Sequence, residues 1–165
     1  MARSHSAAVI TMSDKEARAR ELTRRSGYES KIKAAGFDVV EALLLPDEKG
    51  LLKRELVRLS DQRQVDLILT SGGTGFSVRD TTPEATLEVM THGMCRELRR
   101  RWAGVKSKYT KRAMLSRGVS VLRNKTLIIN LPGSPKAVRE SMEIVLESVQ
   151  HGLGILRGSE SECTR

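Results

Sequence analysis

Four short apolar runs, each followed by a stretch with helical spacing, constrain the fold of this chain more than any other feature. The runs cover residues 7–11, 37–45, 65–69 and 126–130. The run at 65–69 reads as a buried strand, and runs alternating with helical stretches imply a sheet covered on both faces. Between the runs the spacing predicts a charged helix with Leu22, Ile32 and Ala35 inward, ending near Gly36. It also predicts helices over 51–59 (Leu51, Leu52, Leu56 and Leu59 inward), 83–90 and 136–153. Strands alternating with helices predict an α/β fold: a single three-layer domain with a mostly parallel central sheet flanked by helices. A length of 165 residues suits one domain. The domain is expected to span 1–157, with a polar tail over 158–165. Residues 92–117 are dense in Arg and Lys, and no element can be placed there from spacing.

All four prolines fall in strand-exit loops or at the helix starts beside them. Pro83 and Pro135 each follow a Thr or Ser able to act as N-cap. In open α/β sheets ligands bind beyond the carboxyl ends of the strands. That rule gathers Ser13-Asp14, Asp47, the 72–80 loop and the 131–135 loop at one edge.

The loop after the third run is Gly72-Gly73-Thr74-Gly75, followed by Arg79-Asp80 and then Thr82-Pro83-Glu84. Glycines allow backbone N–H groups to approach oxyanions closely, and a helix start adds partial positive charge. The spacing is neither that of a Walker A loop nor that of the dinucleotide fingerprint. A carboxylate in such a loop calls for a cation between it and a phosphate, most often Mg²⁺. Asp47 and Asp80 are therefore candidate metal ligands for phosphoryl or nucleotidyl transfer. Two plainer roles stand beside this: Asp47 as a helix cap, and Asp80 as the partner of Arg79 or another neighbour. Leu131-Pro132-Gly133-Ser134-Pro135-Lys136 is a stiffened loop with a capped helix start, either a simple junction or a second anion site.

A net charge of +9 favours anionic partners. Nucleic acid is the weaker expectation, because aromatic content is 3% and the basic run from Arg96 to Arg112 lacks an RNA-binding signature. That run reads equally as a solvated helix face. His5, His92 and His151 show no metal-ligand spacing, and Trp102 and Met90 read as packing residues. Cys95 and Cys163 are far apart and suggest no disulfide. With no membrane-length apolar run and no leader-like start, a soluble cytoplasmic protein is expected.

These segments together resemble the Mog/MoaB molybdenum-cofactor biosynthesis family, which includes molybdopterin adenylyltransferases and the corresponding domain of gephyrin-like proteins. The matching pieces are Met12-Ser13-Asp14, Leu45-Pro46-Asp47-Glu48, residues 70–86, residues 113–117 and residues 127–137, in order over about 7–157. The resemblance implies Mg²⁺-dependent transfer of AMP from ATP to the terminal phosphate of molybdopterin, releasing pyrophosphate. It implies a homotrimer and a downstream molybdenum-insertion protein as partner. It assigns Asp47 and Asp80 to catalysis and metal. Gly72, Gly73, Thr74, Gly75, Thr82, Pro83 and Glu84 would bind nucleotide or substrate, as would Asn130, Pro132, Gly133, Ser134 and Lys136. Ser13, Asp14, Ser116 and Arg117 would line the pterin side.

The chain departs from the family pattern at Arg24, at His92-Gly93, at Arg96 and at Ser120-Val121, where a glycine is usual. These changes bear on the substrate pocket more than on the metal side. They motivate a rival reading, a relative that binds molybdopterin as a scaffold without catalysis. A basic nucleic-acid-binding module, motivated by charge alone, ranks below both.

Overall fold

The computed structural model of the chain describes residues 4–13, 28–107 and 114–158. The expectations for Asp14, Leu22, Arg24, Cys163, residues 108–113 and the tail beyond residue 158 lie outside it, as does that for the Trp102 side chain. Six strands form one sheet in the order β2-β1-β3-β6-β5-β4. They are β1 (His5–Met12), β2 (Phe37–Leu45), β3 (Leu67–Ser71), β4 (Gly93–Met94), β5 (Ser120–Arg123) and β6 (Thr126–Leu131). The first four in sheet order run parallel, while β5 and β4 are antiparallel additions at one edge. The helices are α1 (described over 28–34), α2 (Lys49–Val57), α3 (Thr82–Glu88), α4 (Arg96–Ser107) and α5 (Pro135–Arg157). A π-helical turn, Arg58–Gln62, continues α2.

The three layers follow from strand alternation. Ala7, Val9, Leu67, Leu69, Leu127 and Ile129 face Ile32 of α1 and Val138, Met142, Val145 and Val149 of α5. Ala8, Ile10, Ile68 and Ile128 face the other way, onto Leu52 and Leu56 of α2, Leu59, and Ala85 of α3. Both faces of the central strands are thus dry, which is why their sequences run apolar without a break. Burying one such Leu or Ile contributes about 1.5–3 kcal/mol.

Several boundaries differ from the sequence reading, for physical reasons. The third strand starts two residues later than 65 and runs on through Ser71, because Thr70 and Ser71 pair with β1 on one side and β6 on the other. The closing helix extends to Arg157, ended by Gly158 in the left-handed region at φ 72°. Within the basic stretch, β4, α4 and the later β5 are elements that spacing did not reveal. The half-buried Cys95 is free, and burial raises its thiol pKa against a smaller opposing bond from Ser120.

Candidate functional site

The four parallel strands end at one edge, and their exits touch. Ser13 N–H bonds Leu45 C=O at 2.9 Å, joining the ends of β1 and β2. Gly72 follows β3 at φ 95°, and a Cβ there would stand 2.6 Å from Met12 C=O. Only glycine lets the loop lie this close to β1. On the other side Ser71 Oγ donates to Pro132 C=O at 3.1 Å, and Gly133 packs directly over Gly72 Cα. The glycine loop is wedged between the exits of β1 and β6.

Both candidate acids sit against this loop. Asp47 Oδ1 lies 3.3 Å from where a Gly73 Cβ would stand, and Asp80 Oδ2 lies 2.8 Å from the same point on Gly75. The N-cap position of α2 is Glu48, which makes no side-chain cap bond, and Asp47 stands one residue before it. Asp80 bonds within its own turn: Oδ2 accepts Ser77 N–H at 3.1 Å, and its N–H donates to Ser77 C=O at 3.0 Å.

Thr82 is not the N-cap of α3. Thr81 holds that position, Thr82 is the first helical residue, and its hydroxyl is buried without a hydrogen-bond partner. That hydroxyl points at Gly73, where any Cβ would collide with it. Thr74 and Pro83 are buried beneath the loop. In the first turn of α3, Glu84 accepts its own backbone N–H and pairs with Arg117. Burial alone would push its carboxyl up, but these bonds and the charges of Arg117 and Lys49 hold it below the usual carboxylate range.

The closing loop behaves as its sequence suggests. Ser134 Oγ accepts Ala137 N–H at 3.2 Å, capping α5, while Pro135 occupies the first helical position. Lys136 is exposed there, about 4.0 Å from Glu140. Asn130 is different: it is fully buried on β6, with its amide committed inside the protein. Its NH₂ donates to Thr70 Oγ1 and Thr86 Oγ1, each at 2.9 Å, and its Oδ1 accepts Val119 N–H at 3.2 Å. It supports the site from within and presents no amide to a ligand.

Ser116 and Arg117 form a strap before β5. Arg117 reaches across to the glycine loop, donating from Nε to Gly75 C=O at 2.8 Å and from Nη2 to Asp80 C=O at 2.5 Å. Among the described residues no three His, Cys, Asp or Glu side chains stand together as a metal cage. Two carboxylates beside a glycine loop nonetheless suit Mg²⁺, which keeps waters and takes one or two carboxylates plus substrate phosphate oxygens.

Known proteins share this fold. Residues 8–151 match the family described as "Probable molybdopterin binding domain". The chain belongs to that family. It is 40% identical over 119 residues to a molybdopterin adenylyltransferase of Helicobacter pylori, covering 70% of this chain and 65% of the relative. The chain thus spans just under two thirds of that relative's length. Among solved structures it is similar to the molybdopterin biosynthesis enzyme MoaB of Thermus thermophilus, with a TM-score of 0.84 and 39% identity over 93% of this chain and 97% of that one. The Mog protein of Mycobacterium ulcerans follows at 0.82 and 30%, over 95% and 99%.

The departures from the family pattern can now be placed. His92 and Arg96 are exposed, immediately before β4 and at the first position of α4. Ser120 is buried in β5 opposite Ile129. The close approach that needs a glycine occurs two residues earlier, at Gly118, where a Cβ would stand 2.8 Å from Asn130 C=O. Sequence reasoning passed over Phe76 and Val78, which project from the glycine loop at 71% and 97% exposure. An aromatic residue inside a glycine-rich polar loop was the available signal. Arg99 was also missed as a site residue; its Nη2 donates to Ser116 C=O at 3.2 Å and anchors the strap to α4.

Proposed function

We propose that this chain transfers AMP from ATP to the terminal phosphate of molybdopterin, with Mg²⁺, in molybdenum cofactor biosynthesis. The observation that carries the reading is the seating of Asp47 and Asp80 against Gly73 and Gly75 of one loop at the sheet's carboxyl edge. An oxygen of the molybdopterin phosphate attacks the α-phosphorus of ATP, the bond to the β-phosphate oxygen breaks, and pyrophosphate leaves. Asp47 and Asp80 would hold the metal, which when bound would offset negative charge on the phosphates. The 72–75 backbone and the capped start of α5 at Ser134 offer N–H groups and partial positive charge to the same oxygens. Ser13 and Ser116 stand at the flanks, where they contact the pterin half of the substrate. Thr82, with its unpartnered hydroxyl over Gly73, faces the ligand from below.

On this reading the partners are molybdopterin, ATP and a downstream molybdenum-insertion protein. The working form is a cytoplasmic homotrimer, to be checked by light scattering against three times the 18.3 kDa chain. Among the described residues, no helix is long and apolar enough to cross a membrane.

The test is to mix the protein with molybdopterin, Mg²⁺ and α-labelled ATP and follow label into adenylylated pterin. Asp47→Asn and Asp80→Asn should each lower the rate at least about a hundredfold, as expected when metal stabilisation of several kcal/mol is lost. Binding of molybdopterin without any transfer would move the chain to the scaffold reading.

A further inference from the structure

The resemblance places Arg117 on the pterin side as a substrate ligand, but its guanidinium is occupied elsewhere. We infer that Arg117 is a positioning residue that shapes the Asp80 loop for the metal, and that it does not hold substrate phosphate. The inference rests on the function proposed above and assigns a task within that same site.

Four bonds carry it. The Arg117 backbone N–H donates to Thr74 C=O at 2.9 Å, which lays the strap along the loop. Nε donates to Gly75 C=O at 2.8 Å and Nη2 to Asp80 C=O at 2.5 Å. One planar fork therefore clamps both ends of the exposed 75–80 turn. Nη1 pairs with Glu84 on α3, so the clamp is fixed to a helix as well. Between the clamped ends, the Ser77 N–H bond orients the Asp80 carboxylate. Fixing the backbone carbonyl of Asp80 fixes the origin of that side chain.

Charge points the same way. Glu84 neutralises Arg117, and its carboxyl is held below the ordinary range although burial opposes this. A paired guanidinium attracts phosphate weakly, and it leaves the negative charge of Asp80 available to a cation. The strap is itself held, because Arg99 bonds Ser116 C=O and Ser116 Oγ accepts Gly118 N–H at 3.4 Å. Lysine cannot replace this arrangement, since a single ammonium lacks the rigid fork that spans two carbonyls and a carboxylate.

The test uses Mn²⁺ as a paramagnetic stand-in, titrated into the full chain with the non-transferable analogue α,β-methylene-ATP and followed by electron paramagnetic resonance. Arg117→Ala should weaken Mn²⁺ binding about 10–100-fold, as loss of a residue orienting a metal ligand does. The Mg²⁺ concentration for half-maximal transfer should rise in parallel, with KM for molybdopterin unchanged within about twofold. Arg117→Lys should recover little of the loss, and added methylguanidine should restore part of the Mn²⁺ binding of Arg117→Ala. If Arg117→Ala does not fold, Glu84→Gln is read instead, with a smaller loss of Mn²⁺ binding expected; unchanged Mn²⁺ binding in that variant would overturn the inference.

A variant that loses molybdopterin affinity while binding Mn²⁺ normally would overturn the inference and make Arg117 a substrate ligand. A wild-type chain that binds no Mn²⁺ with the analogue would overturn it outright. Mn²⁺ binding without AMP transfer would refute the proposed reaction alone, and the comparison of variants would still decide what Arg117 does.

Discussion

Gly73 shows how little space the candidate site leaves in its floor. Its φ of 63° is left-handed, which costs a non-glycine residue roughly 1–2 kcal/mol before any contact is considered. A methyl group there would strike the Thr82 hydroxyl and press to 3.3 Å from Asp47 Oδ1. Gly73→Ala should therefore destabilise the fold by at least this amount and displace a candidate metal ligand. Gly50 makes the contrasting case: it is exposed on α2, and nothing lies within 4 Å of its missing Cβ. Gly50→Ala should stabilise the chain by about 0.5–1 kcal/mol through helix propensity and leave transfer unaltered. Urea unfolding with transfer assays on the two variants checks both outcomes. Equal effects would mean that the loop is not sterically tight.

At the scale of elements, legibility followed burial. The three central parallel strands were visible because both their faces are dry, while β2, an edge strand with a single buried residue, was placed to the residue by its length and apolar content. β4 and β5 were not, because two and four residues are too few to display a period. β5 pairs with β6 around Asn124 at φ 51°, a turn without the glycine that usually announces a hairpin. The gathering of the loops and both acids at one edge was legible because glycine and proline mark the turns after the strands and a parallel sheet brings its strand exits together; residue type alone left the acids open between metal ligands and plainer roles. The tasks of Arg117 and Asn130 were not, since each depends on partners more than ten residues away. The α3–strap contact also carries a pH signature. The Glu84 carboxyl titrates below its ordinary 4.5 when folded, so its contribution is complete above that value. It is lost as pH falls through the lower folded value. Glu88, held down by Lys49 and then Lys53, adds to the same slope. Glu84→Gln should therefore make the loss of stability below pH 4.5 shallower without abolishing it, as read from denaturant midpoints across acid pH. An unchanged slope would show that the Arg117–Glu84 contact does not persist in solution.

For the whole molecule, the sheet separates stability from the candidate chemistry by strand length. At the edge opposite the glycine loop, Asp66 is buried where β1, β3 and α5 meet. Its Oδ2 accepts the Ser6 N–H at 2.7 Å and hydroxyl at 2.8 Å, and its Oδ1 pairs with Arg157 Nε at 2.6 Å. Arg157 also donates to Gln64 C=O at 2.9 Å, so the last residue of α5 is fastened to the base of the sheet. Five-residue strands at about 3.3 Å per residue put this knot roughly 17 Å from the strand exits. Removing one partner of a buried ion pair leaves the other uncompensated and costs about 3–5 kcal/mol, with the lower end expected because Arg157 keeps some exposure. Asp66→Asn should thus lose about 3 kcal/mol in urea unfolding while kcat and KM stay within about twofold at temperatures where it remains folded. Sites this far apart without shared partners behave additively, so adding Gly50→Ala should restore the stability that Gly50→Ala contributes alone. A fall in kcat with Asp66→Asn under folding conditions would mean that the sheet transmits strain from its base to the loop, and that the two edges are not independent.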